Sequence, residues 1–234
     1  MRALPTLLAA AALLLATTAT ATVTRHAKAP QGPKVKPWVA ATGCWGMYAM
    51  DDVNKDIRAL NAEIAYSGVS MGEISNGFGI GAEFGLDVNP QFTVGLGFER
   101  LSASTSVGDA SVTIDYKLPA ITFRGFGEYR LPMEGPMKVR FGIAGGLVST
   151  SGSAEIVAPG FGTYSTDVSG SGPLFEAYGT GEWFASPQFA LLGTLGYRYA
   201  NVSETKWGTL NNANYAVDYS GMMLRLGVKV MLTK

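Results

Sequence analysis

The chain has 234 residues, of which 47% are hydrophobic and 15% are charged, and 18 basic residues balance 18 acidic ones. Zero net charge gives no reason to expect a nucleic-acid partner, since nucleic-acid-binding domains carry a basic surplus. The 30 glycines argue against a helical bundle, because glycine is costly inside helices. A single histidine (His26) and a single cysteine (Cys44) exclude an intrachain disulfide and a His/Cys zinc site, so no metal and no cofactor are expected.

The first 21 residues have the three parts of a secretory signal peptide. Arg2 supplies a positive start, residues 7–16 are almost purely alanine and leucine, and Ala19-Thr20-Ala21 is a small-x-small triplet that suits signal peptidase. Cleavage after Ala21 leaves a Pro/Lys-rich linker over residues 22–37, in which His26 is a solvated residue. The rest of the chain, residues 38–234, forms the predicted folded domain.

From residue 38 onward the sequence alternates with period two. Residues 77–88 put every bulky apolar residue at an even position and glycines and acids at odd positions, which predicts a strand with different surroundings on its two faces. Phe126 interrupts this pattern in its strand, and the pattern loses phase at Arg100, where we expect a bulge or the membrane edge. Seven strands are predicted over residues 77–88, 92–102, 121–131, 138–148, 174–184, 189–199 and 222–232, and one more within residues 38–50.

The connections between these strands alternate in length. Three short turns each contain proline, over residues 89–91, 132–136 and 186–188, and they suit tight reversals. The long loops are rich in Ser, Thr, Gly and Asn and cover residues 51–75, 103–117, 149–172 and 201–219. An even number of strands with short periplasmic turns and long external loops is the signature of an outer-membrane barrel.

A soluble barrel with its apolar face inward is the alternative. The interior of an eight-stranded barrel is only wide enough to be filled by side chains, so a face of glycines and a few long charged residues suits it. The opposite face carries many aromatic rings that would overfill the lumen, and Phe92, Tyr129, Trp183 and Phe189 lie at strand ends as in interfacial girdles. The sequence therefore predicts an all-β, eight-stranded antiparallel up-and-down transmembrane β-barrel.

The chain resembles the small eight-stranded outer-membrane barrels of the OmpA/OmpX type. The resemblance covers residues 38–234 and is one of architecture: a signal peptide, alternating glycine and aromatic residues, the rhythm of the loops and a last strand at the end of the sequence. Such barrels commonly end on an aromatic residue, whereas this sequence ends Met231-Leu232-Thr233-Lys234.

The inward faces carry almost equal numbers of acids and bases. Because a buried charge is tolerated only when it is paired, we expect a network of paired charges that closes the lumen. The alternative is a narrow polar pathway whose charges separate to pass small solutes. The predicted lumen charge network consists of Glu83, Asp87, Glu99, Arg124, Glu128, Arg130, Lys138, Arg140, Glu176, Glu182, Arg198, Arg225 and Lys229.

No enzymatic activity is predicted. Glu176 and Glu182 lie about 20 Å apart along one face of a strand, too far for hydrolysis by paired carboxylates. The predicted barrel contains no histidine that could activate a nucleophile. Cys44 is expected to be an ordinary strand residue.

The first long loop contains the pattern of an amphipathic helix over residues 51–65. Its apolar stripe is formed by Val53, Ile57, Leu60 and Ile64, and Asp51 is its expected N-cap. Two interpretations stay open: a lid packed over the barrel mouth, or an element that contacts a partner or ligand.

The function expected from the sequence is that of a monomeric barrel in the outer membrane of a double-membraned bacterium. It would act structurally or in surface interaction through its long loops, toward a surface ligand that the sequence does not identify. The alternative is a narrow channel or a binder for small, apolar molecules. Expected partners are outer-membrane lipid and lipopolysaccharide, with periplasmic chaperones and the barrel-assembly machinery during biogenesis.

The predicted cleavage site is directly testable. N-terminal sequencing of protein recovered from the membrane fraction should begin at or near Thr22, because Ala19-Thr20-Ala21 ends the signal peptide. Recovery of intact Met1 would reject it.

Overall fold

A computed structural model describes residues 35–65, 70–108, 113–158, 162–203, 205–207, 210–212 and 215–232. The predicted signal peptide and most of the predicted linker lie outside these residues. The first strand already begins at Lys36, two residues before the predicted domain boundary.

The described residues form thirteen strands and one α-helix. None of the helical residues among them makes a segment long and apolar enough to cross a membrane. The strands are β1 (Lys36–Met47), β2 (Asn76–Asp87), β3 (Phe92–Ser102), β4 (Ser104–Gly108), β5 (Thr113–Lys117), β6 (Ala120–Arg130), β7 (Met137–Ala158), β8 (Gly162–Phe184), β9 (Phe189–Val202), β10 (Thr205–Trp207), β11 (Leu210–Asn212), β12 (Val217–Asp218) and β13 (Gly221–Met231), and the helix is α1 (Asp51–Ile64).

Eight of these strands close into one antiparallel barrel. β1, β2, β3, β6, β7, β8, β9 and β13 pair in chain order, and β13 pairs with β1 to complete the circle. Following directly paired residues once around the barrel leads from Lys36 to Gly46 on the same strand, a shear of ten residues. The strands are therefore tilted by about 40° to the barrel axis. The predicted fold class is confirmed.

The outward face of the barrel wall is apolar. Ile80, Ile143 and Leu226 expose 70%, 71% and 62% of their surface, and their neighbours of the same parity are equally apolar. A continuous apolar belt of this extent is not stable in water, whereas it matches the hydrocarbon core of a membrane. The predicted orientation of the two faces is confirmed, and the soluble alternative does not fit.

The two irregular positions keep the alternation intact. β3 pairs without interruption, with Arg100 opposite Ile80 on one side and Ile121 on the other, so of the two expected causes, a bulge or the membrane edge, the bulge is absent. Arg100 faces outward while Glu99 is buried in the lumen. Phe126 follows the parity of its strand, faces inward and packs on Trp38 with ring centroids 6.1 Å apart.

Two of the predicted long loops are extended strands. β7 and β8 have 22 and 23 residues, and their ladder continues from Met137↔Trp183 to Ala158↔Gly162. The β4–β5 pairs continue the register of β3 and β6. Loops over residues 103–117 and 149–172 were a wrong prediction, because a Ser/Thr/Gly-rich composition reports exposure to water and does not prevent strand pairing.

The lipid-facing assignment predicts a depth-dependent cost of charge. Leu226→Arg, near the middle of β13, should destabilise the vesicle-inserted barrel by about 2–4 kcal/mol, and Met222→Arg, near the strand end, by about 0–1 kcal/mol. Urea titrations of both variants in lipid vesicles measure the difference. Equal stability of the Leu226→Arg variant and the unmodified chain would contradict the assignment.

Candidate functional site

The lumen contains two separate clusters of paired charges. None of the ion pairs among the described residues joins one cluster to the other. Each cluster contains three acids and three bases, so each is neutral by itself. The upper cluster, toward the long loops, consists of Glu83, Glu99, Glu176, Arg124, Arg198 and Arg225; the lower cluster, toward the short turns, consists of Asp87, Glu128, Glu182, Arg130, Arg140 and Lys229.

A four-membered ring of charges forms the centre of the upper cluster. Arg198 donates to Glu99 at 2.6 Å and to Glu176 at 2.9 Å. Arg225 donates to the same two carboxylates, at 2.7 Å and 2.6 Å. All four residues are at most 4% exposed. Each guanidinium bridges two carboxylates, which is the geometry that makes such pairs strong and directional.

Arg124 extends the upper cluster from β6. It donates through Nη2 to Glu83 Oε1 at 2.5 Å and through Nη1 to Glu99 Oε2 at 3.4 Å. Gly97, directly opposite on β3, leaves the space for this side chain, since a Cβ at that position would lie 2.9 Å from Arg124 Cζ. The inward glycine is therefore part of the charge network, because a larger residue would displace the guanidinium.

Glu182 is the most connected residue of the lower cluster. It accepts hydrogen bonds from Arg140 through both carboxylate oxygens and from Lys229 Nζ at 2.9 Å. Arg140 also donates to Glu128 at 2.7 Å. The Lys229 ammonium lies 4.2 Å from the centroid of the Trp38 ring, a favourable cation–π distance. Removal of Glu182 would leave two buried cations with few partners.

Asp87 completes the lower cluster near the short turns. It accepts hydrogen bonds from Trp38 Nε1 at 3.1 Å, from Thr93 Oγ1 at 2.7 Å and from Arg130 at 2.8 Å. Three donors of three different types hold this carboxylate, so its position is fixed by the indole as well as by charge.

The structure places one predicted member elsewhere and adds residues that sequence reasoning missed. Lys138 lies outside both clusters, and its ammonium donates to the Met133 carbonyl oxygen in a short turn. Trp38 and Phe126 line the lumen beside the lower cluster. The alternation along each strand could have identified both residues as inward-facing, because Trp38 has the same parity as the buried Cys44 and Phe126 has the same parity as Arg124.

The space left between the clusters is small. A cavity of about 10 Å³ lies there, with residues of both clusters in its wall, and it is large enough for about one water molecule. Its wall includes Trp38, Glu83, Glu128, Arg140, Tyr178 and Arg225.

An apolar plug fills the lumen above the upper cluster. Its members come from the barrel strands, from α1, from β12 and from the connections beside them, and they are buried. The plug includes Tyr48, Met50, Val53, Ile57, Met71, Ile74, Leu101, Leu118, Val148, Leu174, Val202, Val217 and Tyr219. Ions would have to cross a layer formed mostly by apolar side chains, which is unfavourable.

The helix α1 supplies part of the plug. Val53 and Ile57 of the predicted stripe are fully buried, and Leu60 packs against the plug; the Ile64 side chain lies outside the described residues. The helix begins at Asp51 with Met50 as its N-cap, in a left-handed conformation (φ 47°). The predicted N-cap at Asp51 was wrong because the Met50 carbonyl accepts the first helical hydrogen bond, from Asn54 N at 2.8 Å.

Two asparagines fasten α1 to the segment before β2. The Asn54 side-chain amide exchanges two hydrogen bonds with the backbone of Ile74, at 2.8 Å and 2.9 Å. Asn61 does the same with Met71, at 2.7 Å and 2.9 Å. Each amide satisfies one donor and one acceptor of a backbone segment, so the helix is held by specific bonds as well as by apolar contact.

Carboxylates of α1 fasten it to the chain before β12. Asp52 accepts a hydrogen bond from Ala216 N at 2.8 Å. Burial raises the pKa of the Tyr215 phenol, and the charge of Asp56 and its hydrogen bond with that phenol raise the pKa further. The helix α1 thus packs over the external end of the lumen, an arrangement that fits the lid interpretation.

The closed barrel, its apolar outward belt and its polar lumen define a membrane-spanning β-barrel of the outer-membrane type. Solved structures similar to this chain include small outer-membrane barrels. Neisserial surface protein A is 14% identical over 83% of this chain and 96% of its own (TM-score 0.46). Ail of Yersinia pestis, solved with the heparin analogue sucrose octasulfate, is 14% identical over 84% of this chain and 99% of its own (TM-score 0.48). OprG of Pseudomonas aeruginosa is 12% identical over 87% of this chain and 99% of its own (TM-score 0.45). No protein-family model and no curated protein matches the chain.

The unequal connectivity of the carboxylates predicts unequal effects of their removal. Glu182→Gln should lower the free energy of unfolding by about 3–5 kcal/mol, because Arg140 and Lys229 stay buried with too few partners. Glu128→Gln should cost about 1–3 kcal/mol, since Arg140 keeps its pairing with Glu182. Both variants replace a glutamate by glutamine, and urea unfolding measures the free energy of unfolding of each. A larger effect of Glu128→Gln would contradict this account of the lower cluster.

Proposed function

We propose that the protein is a monomeric outer-membrane barrel with a closed lumen, exported through a cleaved signal peptide, which acts structurally or in surface interaction through its long external loops. The observation that carries the closed lumen is its filling in three layers. The apolar plug, the upper cluster and the lower cluster follow one another along the lumen, and a cavity of about 10 Å³ lies between the clusters.

Charge balance supports the same proposal. A conducting pore gains from an excess of one sign along its wall, because that excess attracts the permeant ion. Here each cluster has three acids and three bases, and every one of these twelve side chains takes part in at least one ion pair. The arrangement therefore favours a filling that stabilises the barrel over a path for ions.

Surface interaction is supported by what the external part of the barrel presents. The strands β4, β5, β7 and β8 rise beyond the apolar belt and place hydroxyl side chains outward. The exposed face of α1 carries Lys55, Arg58 and Glu63, away from the stripe that closes the mouth. These surfaces are available to a partner without any change in the lumen.

Single-channel recording in planar bilayers tests the proposal. The unmodified protein should be electrically silent or open rarely, because three layers block the lumen. Glu128→Ala should raise the opening frequency, since Glu128 lines the cavity and holds Arg140. Glu134→Ala, in an exposed short turn, is the matched control and should leave the recordings unchanged. A steady current from the unmodified protein, insensitive to Glu128→Ala, would favour a channel for small molecules instead.

A further inference from the structure

Arg100 is the charged side chain on the outward face of the membrane-spanning barrel wall. The outward serines Ser102, Ser149 and Ser171 mark the external limit of the apolar wall. Between these serines and the short turns, no other described residue puts a charge on the outward face. The guanidinium is exposed and has no ion pair or hydrogen bond with another described residue. Its directly paired neighbours are Ile80 and Ile121, both apolar and exposed. A cation in this position needs a partner from outside the chain.

The height of Arg100 places it at the outer membrane boundary. It lies eight positions above Phe92 of the short-turn girdle, about 26 Å along the strand, or about 20 Å along the barrel axis after correction for the tilt. The apolar band of such barrels is about 25 Å tall, so the long arginine side chain reaches its upper edge.

The neighbouring strands indicate the same boundary. Because the strands are tilted, directly paired residues rise along the barrel axis by about 3 Å from each strand to the next in the order β1, β2, β3, β6, β7, β8. Counted this way, Trp45, Phe123 and Phe175 lie at about the height of Arg100. Aromatic residues at one level are typical of an interfacial girdle. Directly above, the outward face changes to serine, at Ser102 and Ser149.

Below Arg100 the surface is aromatic. Phe98 and Phe123 pack side by side with ring centroids 5.2 Å apart and expose 39% and 60% of their surface. A cation with hydroxyls above it and an aromatic pair beneath it matches an amphipathic molecule with an anionic head and an acyl chain. The guanidinium favours a phosphate as the anionic group, and the polar surface above it and the aromatic surface below it favour a lipid.

We propose that Arg100, with Ser102 and Ser149, binds the phosphorylated headgroup of a glycolipid of the outer leaflet, whose acyl chain lies on Phe98 and Phe123. The site rests on the membrane location proposed above and adds a defined contact between the barrel wall and lipopolysaccharide. Phosphate attracts a guanidinium through parallel hydrogen bonds, and a cation near the headgroup level is far less costly than one at the midplane.

Native mass spectrometry of the detergent-solubilised full chain, titrated with lipopolysaccharide, tests the site. Arg100→Gln should raise the apparent Kd about fivefold, the weight of one basic residue at a membrane surface. Arg100→Lys should restore most of the affinity. Lys36→Gln, at the exposed short-turn end of β1 and so at the opposite membrane boundary, is the control and should bind as the unmodified chain does.

Two further arms identify the ligand chemistry. Dephosphorylated lipopolysaccharide should bind the unmodified chain and the Arg100→Gln variant equally, and excess inorganic phosphate should not displace the intact glycolipid. Equal affinity of the unmodified chain and Arg100→Gln for intact lipopolysaccharide, with both inserted in phosphatidylcholine vesicles, would overturn the lipid site alone. Failure of the unmodified chain to insert would overturn the membrane location and the site together.

Discussion

The lumen of an eight-stranded barrel is just wide enough to be filled by side chains, so the charges that its strands point inward must be neutralised by other side chains. The two clusters meet this requirement separately, each with three acids and three bases. Separate neutrality matters because a net charge left on either cluster would be buried, weakly screened and without a partner that offsets its desolvation cost. Glu99 and Glu176 in the upper cluster and Glu182 in the lower cluster each pair with three cations, so the stability of the lumen depends on few carboxylates.

Glycine makes this filling geometrically possible. The long arginine and aromatic side chains cross toward strands whose inward positions lack a Cβ: Gly97 faces Arg124, Gly142 faces Tyr178, and Gly85 faces the Trp38 ring. A Cβ at any of these glycines would lie within 3 Å of those side chains. The high glycine content thus has a cause in packing. Inward glycines leave space on one strand, and the long side chains of the facing strands occupy that space.

Parity along each strand predicted twelve of the charged residues now found in the clusters, and together with the alternating loop lengths and the narrow lumen it predicted the fold class and both faces. It could not predict the partners, because these depend on the shear of ten residues, which only the closed ladder reveals. Arg198 meets Glu99 across 99 residues of sequence, a pairing that no local pattern contains. The extent of β7 and β8 was missed for another reason: serine and glycine signal exposure to water, and hydrogen-bonded strands can be fully exposed beyond the membrane.

The same distinction between exposure and pairing locates the membrane on this barrel. Along β7 the outward residues change from Ile143 and Leu147 to Ser149 and Ser151 while the ladder with β8 continues unbroken. The backbone hydrogen bonds are satisfied on both sides of this change, so only the side chains respond to the solvent. Arg100 belongs to that transition, since it lies level with the last aromatic residues and below the first serines. A charge tolerated there, and costly a few residues lower, is what a boundary between hydrocarbon and phosphate requires.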